Sequence, residues 1–101
     1  MNYIEIEKDL IPYRFTVDLG VEEYEIEVGY NQRFDFFTVD LYLGNEALAV
    51  GEKLILNRPL FNDINDRRFP PLQLVPRDRS GMVDRITYDN MGETVLLYVE
   101  G

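Results

Sequence analysis

Apolar and polar residues alternate through much of the first third of the chain. The alternation is clearest in NYIEIEK (residues 2–8), YRFTVD (residues 13–18) and EEYEIEVGY (residues 22–30). A two-residue period is typical of strands with one buried and one solvated face, so each stretch is predicted to be an antiparallel β-strand. Residues 19–22 are too few for a crossover helix, which predicts a hairpin of the second and third strands. The third strand carries three acids on its polar face, and these are Glu23, Glu25 and Glu27.

A longer apolar strand is predicted over FDFFTVDLYL (residues 34–43), with Phe37, Val39, Leu41 and Leu43 on one face. The adjacent Phe36 and Phe37 indicate a strand partly covered on both sides, or a bulge that shifts its phase. Gly44-Asn45 suits a two-residue hairpin turn, EALAV returns from it, and Gly51-Glu52-Lys53 is expected to end that strand. Residues 41–50 are therefore predicted to form a central hairpin of the sheet.

The pattern changes after Lys53. Leu54–Leu56 is predicted to be a buried strand, Asn57-Arg58-Pro59 interrupts it, and a short helix is expected from Pro59 until Pro70-Pro71 ends it. Further strands are predicted in LQLV (residues 72–75) and TVLLYVE (residues 94–100), with a polar loop over Arg77–Met82. About seven or eight strands and one short helix predict an all-β fold, either a small antiparallel β-sandwich or a partly open barrel.

Length and composition narrow the class of protein. A chain of 101 residues with 46% hydrophobic residues is predicted to form one β domain over residues 1–101. Its net charge of −9 argues against nucleic acid and against an anionic membrane surface as partners. The apolar runs are too short to span a membrane, and the N-terminus does not resemble a signal peptide, so we expect a soluble protein made in the cytoplasm.

The residue inventory contains little catalytic chemistry. Histidine and cysteine are absent, which removes the common proton shuttle, the thiol nucleophile and the usual zinc ligands. Ser80 is interpreted as a turn residue beside Gly81, and the acids in NDIND lack the spacing of a calcium loop. We therefore expect no catalytic residue, no cofactor and no metal.

Charge is unevenly distributed, because most arginines follow the acid-rich first third. The late arginines are Arg58, Arg67, Arg68, Arg77, Arg79 and Arg85. Ion pairing within the fold explains such a distribution. So does a head-to-tail contact, in which the acids of one copy meet the arginines of the next, and such a contact can close into a ring.

The order of these segments resembles the small baseplate plug proteins of contractile-tailed phages and prophages. The resemblance runs from about Phe15 to Val99. Its matching positions are Tyr24-Ile26-Val28-Tyr30, Phe37-Val39-Leu41, Gly51, Leu54-Ile55-Leu56 and Met91-Gly92. The stretch LNRPLFNDINDRRFPPLQLVPRDRS (residues 56–80) is longer and more charged than the family pattern. The resemblance implies a structural part of the hub region of a phage tail, with no catalytic residues to transfer.

Two hypotheses follow. In the first, the chain is a non-enzymatic component of a tail baseplate in the virion, bound to other tail proteins, with further copies of itself as another candidate partner. Its contact regions would be Pro59–Arg68 and Arg77–Met82, although both could simply cap the open end of a barrel. The predicted contact residues are Arg58, Pro59, Phe61, Asp63, Arg67, Arg68, Arg77 and Arg79, together with the three glutamates Glu23, Glu25 and Glu27.

In the second hypothesis the chain is a small β-rich binding module for a peptide or carbohydrate ligand. Phe34, Phe36 and Tyr42 would then form its aromatic platform.

Overall fold

The computed structural model describes residues 2–20 and 22–101. These residues form seven strands and one 3-10 helix, Lys8–Leu10. The strands are β1 (Asn2–Ile4), β2 (Tyr13–Asp18), β3 (Glu23–Asn31), β4 (Phe36–Leu43), β5 (Glu46–Lys53), β6 (Gln73–Asp78) and β7 (Val95–Glu100). No helix in the described ranges is long and apolar enough to cross a membrane.

The strands form two antiparallel sheets. One has three strands in the order β1-β7-β6, and the other has four in the order β2-β3-β4-β5. Across the described residues neither sheet closes into a barrel. The all-β prediction is thus confirmed, in its two-sheet form.

Alternation along the strands determines which side chains enter the core. In the four-stranded sheet Phe15 lies opposite Ile26, and Val28 lies opposite Val39, so the apolar residues of neighbouring strands share one face. Phe37 is fully buried. The same buried cluster includes Ile4, Leu74, Val95 and Leu97 of the three-stranded sheet, so the two sheets enclose one core.

The predicted hairpins are present. β2 pairs with β3 along its whole length, although Val21 of the connecting residues lies outside the described part of the chain. β4 pairs with β5 around the turn at Gly44, whose φ is +62°. Both predicted effects of the adjacent phenylalanines have a counterpart: β4 is partly covered on both faces, and its register with β5 shifts between Val39 and Tyr42.

Local predictions were wrong at the hairpin, at Leu54–Leu56 and after Pro59. The hairpin of β4 and β5 is not central, because β5 is the outer strand of its sheet, and β5 continues through Gly51 to Lys53. Leu54–Leu56 is not a strand: Leu54 is buried, but Ile55 is 38% exposed and the chain turns at Leu56.

The helix predicted from Pro59 is also absent; residues 60–63 and 67–68 form separate turns. The amide of Leu60 donates to Leu74 O (2.8 Å), and the amide of Phe61 donates to the Glu52 carboxylate (2.8 Å). Phe61 also has φ 60°, a left-handed conformation that is incompatible with a right-handed helix.

Residues 54–72, which we call the crossing segment, connect the two sheets. At its start the amide of Leu54 donates to Phe37 O of β4, and further along the amide of Asn57 donates to Pro76 O of β6. Near its end the Tyr24 hydroxyl, on β3, donates to Arg68 O at 2.8 Å. The segment therefore covers the outer edge of β6 and one end of the four-stranded sheet.

The Tyr24 hydrogen bond provides a test of how the crossing segment is attached. Tyr24 is only 3% exposed, so Tyr24→Phe leaves Arg68 O without this partner and should lower the free energy of unfolding by about 0.5–1.5 kcal/mol. Thermal unfolding followed by circular dichroism measures the change, expected as a fall of several degrees. Tyr3→Phe is the matched control because Tyr3 is 49% exposed. Equal melting temperatures for both variants would contradict this attachment.

Candidate protein-contact site

The acidic row Glu23, Glu25 and Glu27 lies on the outward face of the four-stranded sheet, as predicted. Its inward-pointing neighbours on β3 are core residues, so the acids must project away from the core. Glu23 is exposed, whereas Glu25 and Glu27 are half-buried.

Arg14 of β2 neutralises one end of this row. Its guanidinium lies 3.2 Å from the Glu27 carboxylate and 3.8 Å from the centre of the Tyr42 ring. Glu27 is therefore already paired within the chain.

The rest of this face holds acids directly opposite one another. Asp18 of β2 lies opposite Glu23, and Asp40 of β4 lies opposite Glu27. Like charges in such register destabilise a sheet unless cations or water screen them. Asp40 gains one compensating contact, since it accepts a hydrogen bond from the amide of Gly51 at 2.7 Å. Asp18, Glu23 and Glu25 form no ion pair within the described residues, so these are the acids of this face that a cationic partner would meet.

The predicted contact residues of the crossing segment fall into two groups. Arg58, Asp63 and Arg67 are exposed, and within the described residues none of them forms an ion pair. Pro59 and Phe61 are half-buried. The exposed group can meet a partner without breaking an internal contact.

Arg68 belongs instead to an internal network. It forms ion pairs of 2.6 Å with both Asp66 and Glu46, and the second of these joins the crossing segment to β5. The Arg68 guanidinium lowers the pKa of Asp66 to about 2. Arg68 therefore helps to hold the crossing segment against the four-stranded sheet.

The two arginines of the second predicted region, Arg77–Met82, also differ in their contacts. Arg77 belongs to β6, where its guanidinium makes a two-point contact with Glu100 of β7 (2.5 and 3.0 Å). Arg79 is exposed and has no ion-pair partner among residues 2–20 and 22–101. Arg79 is thus the one arginine of this region available to a neighbour.

Asp78 organises the loop that carries Arg79. Its carboxylate accepts hydrogen bonds from the amides of Ser80, Met82 and Val83 at 2.8–3.0 Å, and from the Ser80 hydroxyl. These donors, the Val83 amide above all, hold the pKa of Asp78 far below its usual range. Ser80 is a turn residue, as predicted.

The two predicted regions begin close together, because the amide of Asn57 donates to Pro76 O, next to Arg77, and they diverge from there. Arg68 contacts the ends of β3 and β5 near the β4–β5 turn, and Pro71 packs against Gly20 there. β6 runs away from that end, and the residues that follow it lie towards the β3–β4 turn. The start of the first region therefore lies beside β6, whereas Arg68 lies near the β4–β5 turn.

The three aromatic residues proposed as a ligand platform are not brought together. Phe36 and Tyr42 are six residues apart along β4, about 20 Å at the rise of a strand. Phe34 lies in the β3–β4 turn, and the Tyr42 ring is covered by Arg14.

A network around Asp35 was missed in the sequence, where this residue was assigned to a strand. Asp35 has φ 56° and lies in the β3–β4 turn. Its carboxylate accepts hydrogen bonds from the Tyr30 hydroxyl (2.6 Å) and the Tyr88 amide (2.9 Å), and its carbonyl accepts one from Arg85 (2.8 Å). The hydrogen bond that the Tyr30 hydroxyl donates to Asp35 raises the pKa of Tyr30 to about 12. An aspartate beside an Asn-Gln-Arg turn was the available signal.

Comparison with models of known protein families shows which family the chain belongs to. The family model described as "Cyanophage baseplate Pam3 plug gp18" matches residues 1–101. The chain belongs to this family of phage baseplate plug proteins. Comparisons with the curated proteins and with the solved structures gave no match. The resemblance noted in the sequence is therefore confirmed, over the whole length of this plug-family chain.

Arg77 is paired and Arg79 is not, so the two alanine variants are expected to differ in melting temperature. Arg79→Ala should leave the melting temperature of the plug protein unchanged, since no described contact is lost. Arg77→Ala should lower it by a few degrees at most, because an ion pair with partly exposed side chains contributes little. Differential scanning calorimetry of both variants, with Glu100→Gln as the matched control for Arg77→Ala, measures this. A larger loss for Arg79→Ala would make Arg79 a structural residue.

Asp78 gives a prediction for acid unfolding. Its folded pKa is depressed, so its ionised form stabilises the fold at pH values above its ordinary pKa of 3.8, and that contribution is lost as the pH falls further. Asp78→Asn should therefore lower the urea midpoint at pH 7, and the gap from the parent protein should shrink between pH 4 and pH 2, as read by tyrosine fluorescence. Asp84→Asn, on an exposed residue, is the control. A pH-independent gap would contradict the role of the ionised carboxylate.

Proposed function

We propose that this chain is a non-enzymatic structural component of a phage or prophage tail baseplate, acting in its plug or hub region through contacts with other baseplate proteins. The observation that carries the proposal is the match of the plug family to residues 1–101. The protein would be made in the cytoplasm of the bacterial host and would end in the virion.

The chemistry of the chain supports a structural role. It has no histidine or cysteine, and the most strongly perturbed carboxylates hold loops in place. Asp78 binds three backbone amides, Asp66 pairs with Arg68, and Asp35 anchors the β3–β4 turn. The hydroxyl of Ser80, the only serine, donates to Asp78. These side chains therefore stabilise turns and loops of the fold.

The surface charges support contact with more than one neighbour. The acidic row suits a cationic partner, and the exposed Arg58, Arg67 and Arg79 suit acidic ones. A second copy is a further candidate partner, in a head-to-tail contact between these two kinds of surface. We also propose that residues 1–101 form one domain, which the shared core of the two sheets supports.

Incorporation into tails tests the proposal. An epitope-tagged copy is expressed in the phage or prophage host, particles are induced, and tails are banded by density and washed in moderate salt. The tagged protein should band with the tails, because buried contacts in an assembly resist screening that removes exposed ones. An unrelated tagged β-protein of similar size is the control. A tag recovered only in the soluble fraction would contradict the proposal.

A further inference from the structure

An apolar groove of about 240 Å³ lies beside the β3–β4 turn. Phe34 and Phe36 form one wall and Ile55 forms the other, at the start of the crossing segment. Its floor is Leu54 and Ile86, which belong to the core.

The walls of this Phe34 groove are more exposed than the fold requires. Phe34 is 65% exposed and Ile55 is 38% exposed, whereas Leu54 and Ile86 of the floor are 2% and 5% exposed. Phe34 lies in a turn, and a polar residue at this position could adopt the same backbone conformation. Adjacent exposed apolar side chains above a buried floor are typical of a surface that a partner covers.

Cations surround the groove. The Lys53 ammonium lies 4.6 Å from the centre of the Phe36 ring, and the Arg33 guanidinium lies 5.3 Å from that of Phe34. Arg85 lines the groove as well, and its guanidinium is shared with Asp35. Asp84 is the acid among the lining residues.

This charge is the reverse of that of the chain, whose net charge is −9. Lys53 and Arg33 form no ion pair with any described residue, so their charges are free to meet a ligand. Both are held near ring faces by cation–π attraction, which limits the rotamer freedom that binding would cost.

We propose that the Phe34 groove binds a segment of a neighbouring baseplate protein that presents a bulky apolar side chain flanked by carboxylates. The apolar side chain fills the space between Phe34, Phe36 and Ile55, and the carboxylates meet Lys53 and Arg33. The inference deepens the proposed function and rests on it for the identity of the neighbour. The chemistry of the groove is inferred from its lining residues and is independent of the proposed function.

A peptide titration of the full chain tests the groove. The probe is the capped pentapeptide Gly-Glu-Leu-Glu-Gly, added to ¹⁵N-labelled protein and followed by heteronuclear NMR. Shifts should be confined to the amides around Phe34, Ile55 and Ile86 and should saturate in the millimolar range, about what a contact of this size supports. Gly-Lys-Leu-Lys-Gly and Gly-Glu-Ala-Glu-Gly should each bind at least about fivefold more weakly.

Three variants separate the groove from general charge attraction. Phe34→Ala and Lys53→Glu should each weaken the acidic peptide at least about fivefold. Arg67→Glu changes the net charge by the same amount as Lys53→Glu but lies outside the groove, and it should leave the affinity within about twofold. Unchanged spectra away from each substitution verify that the variants fold.

Several outcomes would overturn the inference. These are an absence of groove shifts, equal shifts with the lysine peptide, or equal weakening by Arg67→Glu. Groove shifts that appear on concentrating the protein without peptide would assign the groove to a second copy instead. If the peptide fails to bind while the tagged protein bands with tails, the groove inference is wrong and the proposed function stands. If the peptide binds while the tag stays soluble, the proposed function and the identity of the neighbour are wrong, and the chemistry of the groove stands.

Discussion

The apolar layer between the two sheets is the contact on which the rest of this structure depends. No described strand belongs to both sheets, so no ladder hydrogen bonds join them. Side chains such as Phe37 and Ile26 from one sheet and Leu97 from the other form the shared core. Burial of this layer requires strict alternation along β2, β3 and β4, and the same alternation places every second residue on the outer face. The acidic row exists on that face because the core needs the positions between its members.

The crossing segment is the second consequence of having two separate sheets. The chain must leave β5 on one sheet and reach β6 on the other. On the way, its backbone amides donate hydrogen bonds to strands of both sheets. Because Phe61 is left-handed, with φ 60°, a right-handed helix cannot run through it, and the segment is a series of turns. Its arginines are thereby divided, with Arg68 directed into the fold and Arg67 directed outward. The same turns place Ile55 at the groove.

Features set by local pattern could be predicted from the sequence. β2, β3 and β4 follow from alternation and from turn residues, and the outward placement of the acidic row follows with them. The helix predicted from Pro59 was wrong because its start and stop signals do not reveal the left-handed conformation of Phe61.

The same limit applies to the contact site. The pairing of Arg77 depends on Glu100 of β7, and the Asp35 network joins residues about 50 positions apart. The Phe34 groove unites the β3–β4 turn, the crossing segment and residues 84–86, which no periodic pattern connects. Period and turn chemistry predict elements, while the surfaces that bind partners arise from how those elements pack.

The most direct measurement of the central claim is an electron cryo-microscopy reconstruction of the purified tail that contains this chain. We expect density in the plug or hub region of the baseplate that fits the two-sheet fold, with neighbouring proteins against its charged surfaces. A complete baseplate in which every density is explained by other proteins would contradict it.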